Sequence, residues 1–402
     1  MPDGPCGGSR WKGSDRRTLR NQSKIMVIHG ERTGRGRARS PEYSTRFETN
    51  THSGVGGACD NDGGRTPGMI EEARRVDRAG PGSNVSPLAV TIEAGAVGVV
   101  IPVHRAGSGL IDAIASIEGG TLAPAWIVVI DNASGDDAVD RAAAAFPGID
   151  VIRNATNLGF GRACNQGIER LMDRGAAFVF LLNQDATVDP DTLRSLRSLC
   201  LTHPRAAVIG AKTLSSVMFD GDSPILLYGG AWRSCFPLWQ RVPGVGRADR
   251  AGDHEPRLVN FVWGHAMFIR VSALADVGHF DPAFFMYYED LDLCDRLQTA
   301  GWEVWCDRRA VARHAITDPS RAKQSELRRW RWKQESGRSF CRKRWQWPIS
   351  DAFWLASAGR ELMSLCRRGY WRAAGHLVWA SIGVFIGQQG CTSAPARRST
   401  GQ

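Results

Sequence analysis

An α/β fold with a mainly parallel central sheet and a helical C-terminal extension is what this chain of 402 residues predicts, and three observations predict it. Between residues 97 and 182, short β-branched apolar runs alternate with segments of helix length. The runs stop abruptly at Asp, Asn, Gln and Ser, and beyond Ser325 the strand signal gives way to long stretches rich in Arg, Lys and Trp. Strands that are apolar on both faces belong to parallel sheets covered by helices on both sides. Ligands on such sheets bind beyond the carboxyl ends of the strands, so the polar residues that stop each run are where chemistry is expected.

The run 97–103 (VGVVIPV) is the first predicted strand, followed by a helix to about Ile117. Residues 126–130 (WIVVI) repeat the signal and stop at Asp131-Asn132-Ala133-Ser134-Gly135-Asp136. A helix over about 137–146, a strand at Val151-Ile152, a helix over about 162–174 and a strand over 178–182 (FVFLL) complete the series. After Thr213 the pattern loosens, and 229–255 reads as an irregular, loop-rich stretch. Later strands at 259–269 and 302–306 flank an acidic helix beginning near Glu289, and Ser325 opens helices with a basic, aromatic surface.

Charge divides the chain in three. Residues 1–90 hold 15 Lys/Arg and 10 Asp/Glu with abundant Gly, Ser, Thr and Pro and no apolar period, the composition of a disordered basic tail. Residues 91–319 carry a net charge of −7 and form the expected folded domain, whereas residues 320–402 carry +12. An acidic centre argues against a groove for a phosphate backbone, so nucleic acid is not an expected partner. Ten cysteines without a CxxC pair, and no secretory signal, point to a reducing, cytoplasmic setting. The longest apolar stretch, 377–387, falls short of the roughly 18 to 20 residues that span a bilayer. Met26 and Met69 both precede the first strand signal, and the true start of the protein is expected downstream of Met1.

The candidate chemistry lies in carboxylates. Asp131 ends one buried strand and Asp185 follows another, so both are expected at the same sheet edge, able to hold a base or ribose and a divalent ion. For Asp131-Asn132 a turn or helix cap is the competing structural reading. Asp185 is less easily explained that way, because Asp189 or Asp191 can already cap the next helix. The run Phe284-Phe285-Met286-Tyr287-Tyr288-Glu289-Asp290-Leu291-Asp292 sets three carboxylates behind an aromatic stretch. A helix from Glu289 turns Leu291, Leu293 and Leu297 inward and pairs Asp292 with Arg296, which leaves Glu289 and Asp290 at the helix mouth. His314 ends a later strand-like segment; a lone histidine is more often structural than a metal ligand. Asn157-Leu158-Gly159 and Asn165-Gln166-Gly167 read as glycine-permitted turns and a helix face, or as a weak nucleotide signal. Neither a GxGxxG fingerprint nor a Walker lysine motif is present, which disfavours a dinucleotide-dependent oxidoreductase.

Taken in order, Asp131-Asn132-x-Ser134-x-Asp136, Asn157-x-Gly159, Asn165-x-Gly167, Leu182-Asn183-x-Asp185, Gly278-x-Phe280-Asp281, Phe285-Met286-Tyr287-Tyr288-Glu289-Asp290-x-Asp292-Leu293 and His314 closely resemble family 2 glycosyltransferases. Within that family the match is to the bacterial rhamnosyltransferase-type branch, over about residues 97–315, and the tail from 325 to 387 also looks like that branch. The resemblance implies a GT-A fold, a nucleotide-diphospho-sugar donor, a Mg²⁺ or Mn²⁺ ion and inversion at the anomeric carbon. It implies that Asp131, with Asn132, Asn157, Asn165 and Asn183 around it, serves the donor nucleotide. Asp185 corresponds to the metal-binding acid of the DxD motif, and His314 to a histidine that completes the metal shell. Asp290 corresponds to the catalytic base, with Glu289 beside it. Two departures stand out: Asn183 replaces the first Asp of DxD, and Gln184 stands where this branch often has Pro. His265 occupies a place where small residues are common. A catalytically silent nucleotide- or glycan-binding module is the competing function.

The tail interleaves Arg/Lys with Trp330, Trp332, Trp345 and Trp347 and continues to Trp354, Trp371 and Trp379. Cationic, tryptophan-bearing helices suit an anionic membrane surface. The expectation is therefore an enzyme at the inner face of the cell membrane, with a glycan or polyprenyl-linked acceptor. The alternative is a charged helix packed on the core through its aromatics.

Overall fold

The computed structural model describes residues 95–219, 223–233, 240–249, 252, 254–314, 326–367 and 369–387. The expectations for residues 1–90, including the start site, lie outside the described residues. Four strands, β1 (Val97–Val103), β2 (Trp126–Asp131), β3 (Asp150–Arg153) and β4 (Phe178–Leu182), form one half of the sheet. Their order is β3-β2-β1-β4, all parallel. They are linked by helices α1 (Gly109–Glu118), α2 (Ala138–Ala145) and α3 (Phe160–Asp173). After β5 (Ala186–Val188) and α4 (Thr192–Thr202) come β6 (Ala206–Phe219), β7 (Ser223–Tyr228) and the short strands β8 (Trp232–Arg233), β9 (Gln240–Arg241) and β10 (Arg257–Leu258).

The remaining strands are β11 (Ala266–Arg270) and β12 (Glu303–His314), with α5 (Val271–Val277) and α6 (Glu289–Thr299) between them. The full sheet runs β10-β12-β6-β11-β4-β1-β2-β3. It is mixed rather than mainly parallel, because β11 lies antiparallel between β4 and β6, and β5, β7 and β10 also pair antiparallel. The strand signals at 302–306 and 310–313 prove to be one element, β12, whose pairing register shifts between Asp307 and Val311.

Residue alternation along the buried strands explains the two layers. Val99, Ile101, Val103, Ile127 and Val129 face α1, α2 and α4, while Val100, Val128 and Ile130 face α3, α5 and α6. Helix α3 packs very close to β1: a Cβ at Gly167 would sit 2.5 Å from Val100 Cγ1. The glycine of Asn165-x-Gly167 is therefore a packing residue.

The C-terminal extension is three helices, α7 (Glu326–Arg344), α8 (Ile349–Arg367) and α9 (Trp371–Gly387). Phe340 and Trp354 join the same core as α3 and α6, and a smaller core of Trp330, Leu365, Leu377 and Ala380 holds the helices to one another. Many cations of α7 turn inward. Arg338 forms a two-pronged pair with Asp351 (3.0 and 2.7 Å), and Lys343 bridges Asp281 (2.7 Å) and Asp292 (2.6 Å). Arg344 pairs with Asp295. Part of the charge expected at a basic surface is thus paired, with Asp351 inside the extension and with Asp281, Asp292 and Asp295 on the acidic domain. No helix among the described residues is long and apolar enough to cross a membrane.

Candidate active site

The strand order places β1 between β2 and β4: the chain runs outward from β1 through β2 to β3, then crosses back to β4 on the other side of β1. This is the switch point at which a crevice opens beyond the carboxyl ends. His104 follows β1, Asp131 ends β2, and Asn183 to Asp185 follow β4. His104 was not singled out from the sequence, although it follows a buried strand as Asp185 does. Gln184 ties the edge together: its Oε1 accepts from the His104 amide (2.6 Å) and its Nε2 donates to the His104 carbonyl (3.0 Å). A proline at that position would remove both bonds.

Asp131 Oδ1 accepts from the Ser134 amide (2.9 Å) and Oδ2 pairs with Arg153 (3.1 Å). The turn-capping role is thus real and coexists with a carboxylate at the crevice. Asn132 is buried and its amide is spent on the fold. Its Nδ2 donates to Asn157 Oδ1 (2.9 Å) and the Gly159 carbonyl (3.1 Å), and its Oδ1 accepts from Leu158 (2.9 Å) and Asn154 (3.2 Å). Asn157 Oδ1 also receives the Gly159 amide (2.9 Å). Asn165 exchanges two hydrogen bonds with the backbone of Phe280 (2.8 and 3.1 Å). Asn132, Asn157 and Asn165 thus brace loops and a helix in this structure, Asn132 and Asn165 through both ends of their amides and Asn157 through its Oδ1.

The loop these asparagines hold reaches the acidic helix. The Phe160 amide donates to the Phe285 carbonyl (2.9 Å), and a Cβ at Gly159 would lie 2.2 Å from that oxygen at a φ of 89°, so only glycine fits. The loop between β3 and α3 and the turn before Glu289 and Asp290 are thus fastened to one another.

His314 reaches the edge because the end of β12 folds against β5, with His314 opposite Ala186. Its Nε2 lies 3.2 Å from Asp185 Oδ1 and 3.2 Å from Asn183 Nδ2. A carboxylate, an imidazole and an amide converge here, a donor set that suits Mg²⁺ or Mn²⁺ when a diphosphate supplies the remaining oxygens. No cluster of three or more His, Cys, Asp or Glu that could hold a metal occurs among the described residues. Neither Asp189 nor Asp191 caps α4 through its side chain. Asp189 pairs with Arg313 (3.0 Å), and Asp191 takes Thr121 (2.8 Å) and Arg194 (2.7 Å).

His265 sits behind His314, ring centroids 5.5 Å apart, and its Nε2 lies 2.6 Å from Thr213 Oγ1. Burial, and then His314 beside it, push its pKa down to about 3, so it is neutral. The neighbouring Gly264 amide donates to Asp290 Oδ2 (3.2 Å). One run of contacts therefore joins Asp290, Gly264, His265, His314 and Asp185.

Helix α6 begins at Glu289 as expected, with Leu291, Leu293 and Leu297 buried and Asp292 paired to Arg296 (2.9 Å). The two carboxylates at its mouth differ. Asp290 Oδ1 accepts from the Leu291 amide (2.8 Å) and Oδ2 from Gly264; burial raises its pKa to about 6 while these amides hold it down. Glu289 is buried with Oε2 unpartnered, and burial together with the Asp290 charge drives its pKa well above the usual carboxylate range. Burial raises both carboxylates; two backbone amides oppose the rise at Asp290, whereas Oε2 of Glu289 has no such partner.

The family model for glycosyl transferase family 2 matches residues 98–278. The chain is 29% identical over 249 residues to an N-acetylglucosaminyl-diphospho-decaprenol L-rhamnosyltransferase from Mycobacterium tuberculosis, covering 57% of this chain and 79% of that protein. It is 25% identical to a low-salt glycan biosynthesis hexosyltransferase from Haloferax volcanii, over 43% of this chain and 53% of that one. Among solved structures it is similar, at 14% identity and a TM-score of 0.46, to a mannosyltransferase from Pyrobaculum calidifontis in complex with GDP-Man and Mn²⁺. That similarity covers 73% of this chain and 87% of the other.

Proposed function

We propose that this chain, a glycosyltransferase whose residues 98–278 match the family 2 glycosyl transferase model, inverts the anomeric centre as it transfers a sugar from a nucleotide-diphosphate donor to a lipid-linked glycan in bacterial surface polysaccharide synthesis. The donor we favour is dTDP-rhamnose and the acceptor a polyprenyl-diphosphate-linked N-acetylglucosamine, by analogy with the activity named for the mycobacterial relative. The observation that carries the reading is the placement of Asp290, held by the Gly264 amide and joined through His265 to the Asp185–His314 pair.

In this reading Asp290 accepts the proton of the acceptor hydroxyl as its oxygen attacks the anomeric carbon, and the bond to the departing nucleoside diphosphate breaks on the opposite face. Glu289, whose pKa burial and the Asp290 charge raise, stands beside it at the helix mouth. Asp131 holds the nucleoside at the end of β2, and Asp185 and His314, with Asn183 beside them, would hold the divalent cation. Such a cation, when bound, neutralises charge developing on the leaving diphosphate.

The helical extension supports a place at the inner face of the cell membrane. Leu355, Met363, Trp371, Trp379, Ile382 and Phe385 are exposed on α8 and α9, the two tryptophans each at 70%. Both carboxylates of these helices, Asp351 and Glu361, are turned onto α7, while Arg367 and Arg372 remain outward. An apolar, tryptophan-bearing face with cations and no outward carboxylate fits an anionic lipid surface.

The test is transfer from dTDP-rhamnose to the polyprenyl-linked acceptor, followed by mass spectrometry, with Mn²⁺ or Mg²⁺ against chelator. Metal-dependent product of inverted configuration is expected. Neither transfer nor metal-dependent donor hydrolysis across a panel of nucleotide sugars would leave the chain a silent binding module.

A further inference from the structure

We infer that helix α7 of the C-terminal extension is a positioning element for the reaction, with Ser336 and Gly337 holding the turn that sets the Glu289–Asp290 pair; this rests on Asp290 being the base. Tyr287 and Tyr288 immediately precede the pair and lie at φ 71° and 68°. Two successive bulky residues in the left-handed region persist only where the surroundings over-determine them.

Helix α7 supplies much of that restraint from one face. Arg329 Nε donates to the Tyr287 hydroxyl (3.2 Å), and the Trp332 ring packs on Phe285 at 4.7 Å between centroids. Ser336 Oγ donates to the Met286 carbonyl (2.8 Å), and Phe340 packs on Tyr288 at 5.9 Å. Lys343 closes the row by bridging Asp281 and Asp292, residues that flank the turn. Positions 329, 332, 336, 340 and 343 recur at the three- and four-residue spacing of a single helix face. Gly337 lies on the flank of that face: a Cβ there would meet the Tyr288 ring at 3.3 and 3.4 Å. On its other side the turn is fastened by the Phe285 carbonyl to the Phe160 amide. The first turn of α6 is built on it, since the Asp292 amide donates to the Tyr288 carbonyl (2.8 Å). A shift of the turn therefore moves Asp290 against Gly264, whereas the donor side at the ends of β1, β2 and β4 does not touch α7 through these contacts.

Ser336→Ala and Gly337→Ala, each made in the full chain, are compared with Ser336→Thr, which keeps the hydroxyl. Hydrogen exchange of peptides spanning 284–292 is expected to quicken in both alanine variants. Their kcat is expected to fall about 10- to 100-fold, with donor KM within about 2-fold of the parent, since misplacing a reacting group by about 1 Å costs on the order of 10². Ser336→Thr is expected to recover most of the rate. Should an alanine variant fail to fold, Tyr287→Phe, which removes only the hydroxyl contacted by Arg329, takes its place with the same readouts.

Unchanged exchange and unchanged kcat in folded variants would overturn the inference, as would equal losses in kcat and donor affinity. Asp290→Asn separates the two readings. If it is inactive while the α7 variants turn over normally, only the role of α7 falls; if it is active, the assignment of the base falls first.

Discussion

At the scale of single residues, function is decided by which polar groups the fold has already used. Asp131, Asp185, Asp290 and Glu289 are all acids near one sheet edge, yet their environments set them apart. Asp290 is raised to about 6 by burial, so Asp290→Asn should lower turnover by at least about 10²-fold, the smaller part of what a positioned base supplies. Stability should move the other way. A carboxylate raised in the folded state favours folding fully below its unfolded pKa, near 4, and that contribution is lost as pH rises through about 6. Asp290→Asn should therefore melt higher than the parent above pH 6 and show little gain near pH 4, as differential scanning calorimetry would reveal. The rate of the parent should fall on the acid side with a midpoint near 6. Asp185→Asn and His314→Ala should weaken metal-supported donor binding, each by about 10-fold or more, measured by calorimetric titration of nucleotide diphosphate with and without Mn²⁺.

At the scale of elements, the site depends on close fits between loops and helices. Gly159→Ala would press a Cβ against the Phe285 carbonyl at a positive φ. It should destabilise the chain by at least about 2 kcal/mol, read by urea unfolding, and slow turnover by separating the β3–α3 loop from the turn before α6. In the extension, Arg338 and Asp351 form a buried pair, and the Arg338 hydrogen bonds hold the Asp351 pKa at about 2. Arg338→Ala should cost about 1.5 to 3 kcal/mol, because it removes the two-pronged charged pair and leaves Asp351 to Arg342 alone at 3.3 Å. A depressed carboxylate contributes its stability above the unfolded pKa and loses it as pH falls, so the cost of this variant should shrink between about pH 4 and 2. Chemical denaturation across that range checks the sign.

At the scale of the whole molecule, the extension joins two surfaces. Its inner side neutralises carboxylates around α6, and its outer side offers aromatic and aliphatic groups between arginines. Replacing Trp371 and Trp379 by Ser should reduce co-sedimentation with anionic vesicles several-fold while leaving the fold intact, because both side chains are exposed. Equal binding by parent and variant would remove the lipid surface from the proposed function. If the surface matters for catalysis, transfer to a polyprenyl-linked acceptor in vesicles should fall while transfer to a short soluble analogue is spared.

The sequence by itself determined the alternating strands and helices of the first half, the inward leucines of α6, the Asp292–Arg296 pair and the carboxylates at the strand ends. These follow from period, capping chemistry and local spacing, which act over a few residues. Only the tertiary structure decided that Asn132, Asn157 and Asn165 are braces, that Gly167 is a packing residue, and that antiparallel strands complete the sheet. It alone turned β12 so that His314 meets Asp185, set Asp290 apart from Glu289, and laid α7 against the turn before them. Each of these depends on which groups meet across separations from 25 to 131 residues of chain, and on how much water burial removes from them. Neither quantity is written in any local pattern.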